Sequence, residues 1–179
     1  DAAKLGPLYP ADVPYNAVIT EKYLICNIGT ISKELVAAAK KLYPDIETIH
    51  VPQGYTKCNV AVVDESHFIT EDEGIFKRIL AFKANRERKT SGCNGTEKPS
   101  DTLPECLLIR PGSVLLPGYG HGFIGGASGR IEDTVWFSGD LRSHPDYQRI
   151  RKFIETCGLG IRFFEEFPLT DIGSIIEQQ

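Results

Sequence analysis

The chain contains no methionine in 179 residues. A chain of this length normally carries several, so the expectation is that its start is missing or that methionine was excluded or replaced. No apolar run approaches the roughly 18 residues needed to span a bilayer. The opening DAAKLGPLYP lacks the basic-then-apolar order of a signal segment. Positive charge is not in excess either: 20 Lys and Arg stand against 24 Asp and Glu, for a net charge of −4. That leaves no field for nucleic acid or an anionic membrane. No Cys-x-x-Cys pair or paired-histidine spacing occurs, which argues against a structural zinc site, and the reading is no metal and no cofactor. The five cysteines are odd in number, and Cys26, Cys58 and Cys106 sit in or beside apolar runs. They read as free thiols in a reducing cytosol rather than a disulfide framework.

What is present is ordinary for a globular chain: 41% hydrophobic and 25% charged residues. The length suffices for one sizeable core, so residues 1–179 read as one domain. Its organising stretch is Cys58 to Phe82, CNVAVVDESHFITEDEGIFKRILAF. This contains a strand at Val60–Val63, a polar turn at Asp64–Ser66 and a second strand at His67–Thr70. Thr70 and Glu73 then have capping-box spacing, and Ile75, Ile79 and Phe82 fall on one helical face. A closing strand is expected at Cys106–Ile109.

The same order occurs before and after it. In the first copy, Asn16–Thr20 and Tyr23–Cys26 read as strands. Ser32 caps a helix with Leu35, Ala38, Ala39 and Leu42 on one side, Pro44 stops it, and Ile46–Val51 closes the unit. In the third copy, Arg130–Ile131 and Thr134–Ser138 are strands. Ser143 and Asp146 have capping-box spacing, Tyr147, Ile150, Ile154 and Cys157 form a stripe, and Gly158 is the stop before Ile161–Phe164. Residues 1–14 read as a lead-in and Ala84–Glu105 as a mobile polar insertion. Val114–Leu116 and the C-terminal FPLTDIGSIIEQQ each suggest a short strand. Three copies of a ββαβ unit predict repeated packing around an axis; an α+β sandwich of look-alike units is the alternative.

Several residues are candidates for chemistry. Cys58, beside Asn59 and Lys57 at the mouth of a strand, suits a nucleophile with a lowered pKa. The plain alternative is a small thiol opening a strand, with Asn59 holding a turn. His121 lies in GYGHGFIGGASG, where glycines permit close backbone approach to a ligand, and is a general-base candidate. Gly125 and Gly126 read equally as ligand loop or hinge. Asp140, His144 and Asp146 read as a helix start rather than as metal ligands. Asp64, Asp171 and Glu177 are the acidic residues near strand ends.

The stretch FIGGASGRIEDTVWFSGDLRSHPDYQRIRKFIETCGLGIRFF resembles the glycine-pair unit of the penteins, the guanidino-group modifying enzymes (GME). From Tyr15 to Ile176 the chain is still more similar to an uncharacterised bacterial family assigned to that fold. YPADVPYNAVITEKYLICN, HVPQGYTKCNVAVVDESHFIT, GFIGGASG, SHPDY and PLTDIGSI carry this similarity. The resemblance implies a pentein-like α/β propeller of ββαβ units, incomplete if N-terminal units are absent. It also implies guanidinium-binding carboxylates, for which Asp64 and Asp171 are the matching residues. The usual catalytic cysteine and histidine after the glycine-serine pair are not found: Gly173-Ser174 is followed by Ile175, Ile176 and Glu177. The expectation is therefore a cytoplasmic protein binding a small guanidino- or amino-acid-like molecule through Asn59, Asp64, Gly125, Gly126 and Asp171. The alternatives are a hydrolase using Cys58 or His121, and a non-catalytic scaffold. An oligomer is expected if units are missing.

Overall fold

The computed structural model describes residues 5–91 and 103–176. Three three-stranded sheets follow one another along the chain. The first holds β1 (Val18–Ile19), β2 (Tyr23–Cys26) and β3 (Glu47–His50), with α1 (Lys33–Leu42) between β2 and β3. The short helix α2 (Thr56–Asn59) leads into the second, formed by β4 (Val60–Val62), β5 (His67–Thr70) and β6 (Glu105–Leu108), with α3 (Glu73–Ser91) as its crossover. The third has β7 (Ser128–Ile131), β8 (Thr134–Phe137) and β9 (Gly160–Phe163), crossed by α4 (Tyr147–Thr156). In every sheet the first pair is antiparallel and the second parallel. A tight turn suffices for the former, whereas the latter needs a crossover, and the helix supplies it.

Register makes the copies comparable. Val18 faces Ile25, Ala61 faces Ile69 and Gly129 faces Trp136. Ile25, Ile69 and Trp136 in turn face Ile49, Leu107 and Arg162 on the closing strands. Counting back two residues places Asn16, Asn59 and Ala127 at corresponding positions.

Side chains alternate across each strand, and both faces of the first two sheets are used. Leu24 and Cys26 pack with Ala39 of α1. Tyr23, Ile25 and Ile49 point the other way, into a cluster with Ile75 and Ile79 of α3 and with Val60 and Phe68 of the second sheet. On the opposite face of that sheet, Ala61 and Ile69 join Ile150 and Ile154 of α4 and Val135 and Phe137 of the third sheet. The helices α3 and α4 are thus each held between two sheets. Among the described residues no helix covers the far face of the third sheet, which carries Trp136, with the Arg162 guanidinium 6.0 Å from its ring and Phe164 at 5.7 Å.

The C-terminal segment returns across the third unit. It makes single bridges from Pro168 to Asp140 and from Thr170 to Leu115. The expected strands at Val114–Leu116 and at the C-terminus reduce to these bridges. Among the described residues no helix is long and apolar enough to cross a membrane.

Other expectations are corrected. Helix α3 runs on to Ser91, so Ala84 begins no insertion; residues 92–102 of that stretch, with Cys93, lie outside the described residues. Thr70 stays in β5, and Asp72 caps α3 by accepting the Ile75 N–H at 2.8 Å. A carboxylate two residues beyond the strand reaches the free N–H groups without bending the strand end. Ser143 lies in a 3-10 turn, Leu141–Ser143, capped by Asp140. Asp146 does not complete a capping box; its carboxylate takes the Arg110 backbone N–H at 2.7 Å and the guanidinium at 3.2 Å. These bonds hold it well below the ordinary carboxylate range. Leu42, placed on the buried stripe of α1, is 69% exposed. Cys58 and Asn59 sit in α2, not at the opening of a strand.

Ile79 is wholly buried between two sheets. Ile79→Ala is expected to cost roughly 2–5 kcal/mol in a denaturant melt, the usual range for a core truncation. Leu42→Ala should be close to neutral in the same melt. Equal effects would contradict the two-sided burial of α3.

Candidate functional site

The antiparallel start and parallel close of each sheet bring the beginnings of β1, β4 and β7 to the same edge as the ends of β2, β5 and β8. Loops from all three units and the C-terminal segment meet there. Lys57 and Cys58 come from α2. Its backbone is fixed by the Asn16 amide oxygen, which accepts the Lys57 N–H at 2.6 Å. The Asn16 Nδ2 donates to Cys58 Sγ at 3.1 Å. Both interactions use one side chain from the first unit to position a thiol in the second.

The glycine loop presses against this helix. A Cβ on Gly125 would lie 2.3 Å from the Lys57 carbonyl oxygen and 2.6 Å from that of Cys58. A Cβ on Gly126 would lie 2.0 Å from Asp171 Oδ1. Only glycine fits at either position. Gly126 N–H donates to the Cys58 carbonyl at 3.1 Å. The pair is buried, so it serves the packing of backbone on backbone.

Asp171 organises the same loop. Its Oδ2 accepts the Phe123 N–H at 3.1 Å and its Oδ1 the Gly173 N–H at 3.0 Å. Next to it, Ser174 has a positive φ of 148°, a conformation costly for a non-glycine residue. Lys57 Nζ holds it there, donating to Ser174 Oγ at 3.1 Å and to the Gly125 carbonyl at 3.3 Å. Burial lowers the Lys57 pKa, opposed by Cys58 and Asp171. The glycine-serine pair is therefore tied to Lys57 and the glycine loop.

Glu71, absent from the sequence-based site, lies directly after the central strand β5. It is 8% exposed. Its Oε2 accepts the Ile124 N–H at 2.9 Å, while its Oε1 is buried without a hydrogen-bond partner. Burial pushes its pKa above the ordinary range, against the pull of the Ile124 N–H, of His121 and of the nearby Gly112 N–H, which lies outside hydrogen-bonding geometry to Oε1. His121 is exposed at the rim, with Nδ1 3.0 Å from the Gly122 carbonyl oxygen and its ring edge-on to Phe123. A second orphan oxygen, Asp12 Oδ1, is also buried. The other oxygen of Asp12 accepts the Tyr55 hydroxyl, and this bond, more than burial, pushes that hydroxyl up to about 12.

Of the residues expected from sequence, Cys58, Gly125, Gly126, Asp171 and His121 come together at this edge. Asn59 is buried, its Nδ2 donating to the Tyr55 carbonyl at 3.1 Å. Asp64 lies at the opposite edge, in the β4–β5 turn. Glu177 lies outside the described residues. Glu71 had one signal in the sequence: it occupies the position after the central strand, where the other copies have the polar residues Asn27 and Ser138.

A model of the Family of unknown function (DUF6873) matches residues 1–89 and 90–176. No curated protein matches the chain. Among solved structures, an agmatine deiminase of C. jejuni is similar at a TM-score of 0.46 and 9% identity, over 84% of this chain and 48% of that one. A protein of Porphyromonas gingivalis assigned as an arginine deiminase is similar at a TM-score of 0.45 and 9% identity, over 84% and 50%. The chain spans about half the length of these structures.

Two outcomes follow from the geometry. Gly126→Ala drives a methyl into the Asp171 carboxylate and is expected to destabilise the fold by at least the roughly 1–3 kcal/mol of an overpacked core; a wild-type melting temperature would refute the contact. For Glu71, the folded chain holds the proton more tightly than the unfolded chain. Its contribution to stability is therefore full below the ordinary value of 4.5 and is lost as pH rises through the raised folded value. Glu71→Gln should be more stable than wild type at pH 7, the gain shrinking as pH falls toward 4.5. A gain that does not vary with pH, followed by thermal melts, would contradict the burial of this charge.

Proposed function

We propose that this chain, which belongs to the Family of unknown function (DUF6873), binds a small guanidino- or amino-acid-like cation at the strand-end site, without the cysteine chemistry of guanidino-modifying enzymes. The observation that carries this reading is the buried, unpartnered Oε1 of Glu71. A buried acceptor left unpaired costs about 1–3 kcal/mol, more when charged. A guanidinium or ammonium donor offsets that cost, and a planar guanidinium suits a carboxylate best. Asp12 Oδ1, also buried and unpartnered, adds a second acceptor on the Tyr55 side. Lys57, the cation nearby, is already bonded to Ser174 and Gly125. Asp171 keeps both oxygens on backbone N–H groups, so its part in binding is to hold the loop. His121, at the rim, would contact the outer part of the ligand. The same reading takes the chain as one pentein-like domain whose units fan round a common axis with this edge facing it.

A hydrolase using Cys58 is the second reading. It is favoured by the Asn16 amide donating to Sγ, which fixes the thiol beside Lys57 at the meeting of the loops. His121 is the accompanying base candidate.

One experiment separates them. Purified protein is melted with arginine, agmatine and methylated arginines, and the same mixtures are assayed for ammonia, citrulline and released amines. The binding reading expects stabilisation by at least one ligand and no product. At a hundred times Kd the gain is about 2.7 kcal/mol, or roughly 5–10 °C for a chain of this size. Glu71→Gln should abolish the shift. Turnover lost in Cys58→Ser would replace binding with hydrolysis. Neither stabilisation nor product across the panel would refute the proposed ligand class.

A further inference from the structure

At the edge of the sheets opposite the candidate site, three donor atoms of different kinds converge. They belong to the carboxylate of Asp64, the imidazole of His67 and the thiol of Cys157. One ligand atom from each lies within 4.8 Å of the others, and all three residues are half-buried. Asp64 is fixed by its own turn: Oδ1 accepts the Ser66 and His67 backbone N–H groups, both at 2.8 Å. Its two oxygens stand 2.8 and 2.9 Å from His67 Nδ1. The imidazole is braced edge-on by Phe153, with ring centres 5.8 Å apart. Cys157 reaches the cluster from the third unit, at the C-terminal end of α4, where its Sγ donates to the Phe153 carbonyl at 3.3 Å. The Asp64–His67 pair accounts for its own contacts; what it leaves unexplained is a thiol brought to it from another unit.

We propose that Asp64, His67 and Cys157 form a site for a borderline divalent transition metal of the zinc class, clipping the β4–β5 turn of the second unit to the end of α4 in the third. One oxygen, one nitrogen and one sulfur donor match that class, whereas calcium and magnesium take oxygen alone. Carboxylate and thiolate together neutralise a dication, and the imidazole adds a donor without charge. Donors bound tetrahedrally to zinc at about 2.0–2.3 Å stand about 3.3–3.7 Å from one another, so binding opens the 2.8 Å contact between Asp64 and His67 and sets the Cys157 sulfur at that same spacing. The thiol proton leaves to solvent as the sulfur–metal bond forms, and the His67 nitrogen binds in its neutral form. Solvent takes the fourth position. The spacing of zinc motifs in sequence does not apply here, because the third donor comes from a separate unit.

The test uses the full chain freed of metal by chelator dialysis and titrated with cobalt(II) as the spectroscopic probe. The expected result is one equivalent bound, with thiolate-to-cobalt charge-transfer absorption in the near ultraviolet, bleached by zinc. The band should persist in Cys58→Ser and vanish in Cys157→Ser, a near-isosteric change whose folding is checked by circular dichroism. Should Cys157→Ser fail to fold, Asp64→Asn and His67→Gln serve instead, each expected to weaken cobalt binding by about tenfold or more. Absence of charge transfer in the wild type overturns the site. Its persistence in Cys157→Ser does so too, as does its loss in Cys58→Ser or unchanged affinity in both Asp64→Asn and His67→Gln.

Discussion

A ββαβ unit covers one face of its sheet with its own helix and leaves the other bare. The rest of this structure depends on how that bare face is covered. Tyr23, Ile25 and Ile49 of the first sheet are buried by α3 of the second unit, and Ala61 and Ile69 of the second sheet by α4 of the third. Each of these helices therefore has apolar neighbours on two sides, and no unit's sheet up to that point is buried without its successor. The coupling also explains why α1 is less buried than the others. Among the described residues no sheet lies beyond it, and of its side chains only Ala39 is fully covered.

Stacking in this order aligns the strand ends. The same edge of each sheet then carries the residue after its central strand, Asn27, Glu71 or Ser138, and the residues before its first strand. Backbone must approach backbone closely to bring the loops together, and Gly125 and Gly126 supply the room. Asp171 and Lys57 supply the bonds, one holding the loop's N–H groups and the other its carbonyl and Ser174. The cost of this packing is visible in Ser174, kept at a positive φ. With Asp171 and Lys57 committed to the scaffold, the buried carboxylate oxygens left over among the described residues are one of Glu71 and one of Asp12.

The repeated unit was legible in the sequence because its signals are local. Strand alternation, an acidic turn and a helix stripe recur within each copy, and Tyr23–Cys26 and His67–Thr70 are strands over the residues expected. Boundaries were less legible where two local solutions compete. Thr70–Glu73 and Asp72 both offer a cap to α3, and the strand claims Thr70 first. Ser143–Asp146 has the spacing of a box, but Arg110, distant in sequence, takes the carboxylate. A local pattern cannot register that competitor. The same limit explains Ala84: a charged, polar stretch reads as loop, yet Glu73–Ser91 forms a helix that leans on the first sheet, with Arg86 3.3 Å from Glu47.

By itself the sequence determined the order of strands and helix in each unit and that the glycine pair allows close approach. These follow from periodicity of two or 3.6 residues and from the lack of a Cβ. Tertiary structure alone decided which candidates share a place. Strand polarity sends the β4–β5 turn to one edge and the strand ends to the other, so Asp64 parts from Cys58, His121 and Asp171 and meets Cys157 instead. It also decided that Asp171 keeps both oxygens on backbone N–H groups while Glu71 keeps one oxygen without a partner. A carboxylate's availability depends on which N–H groups the folded chain brings to it, and those come from residues far away along the chain.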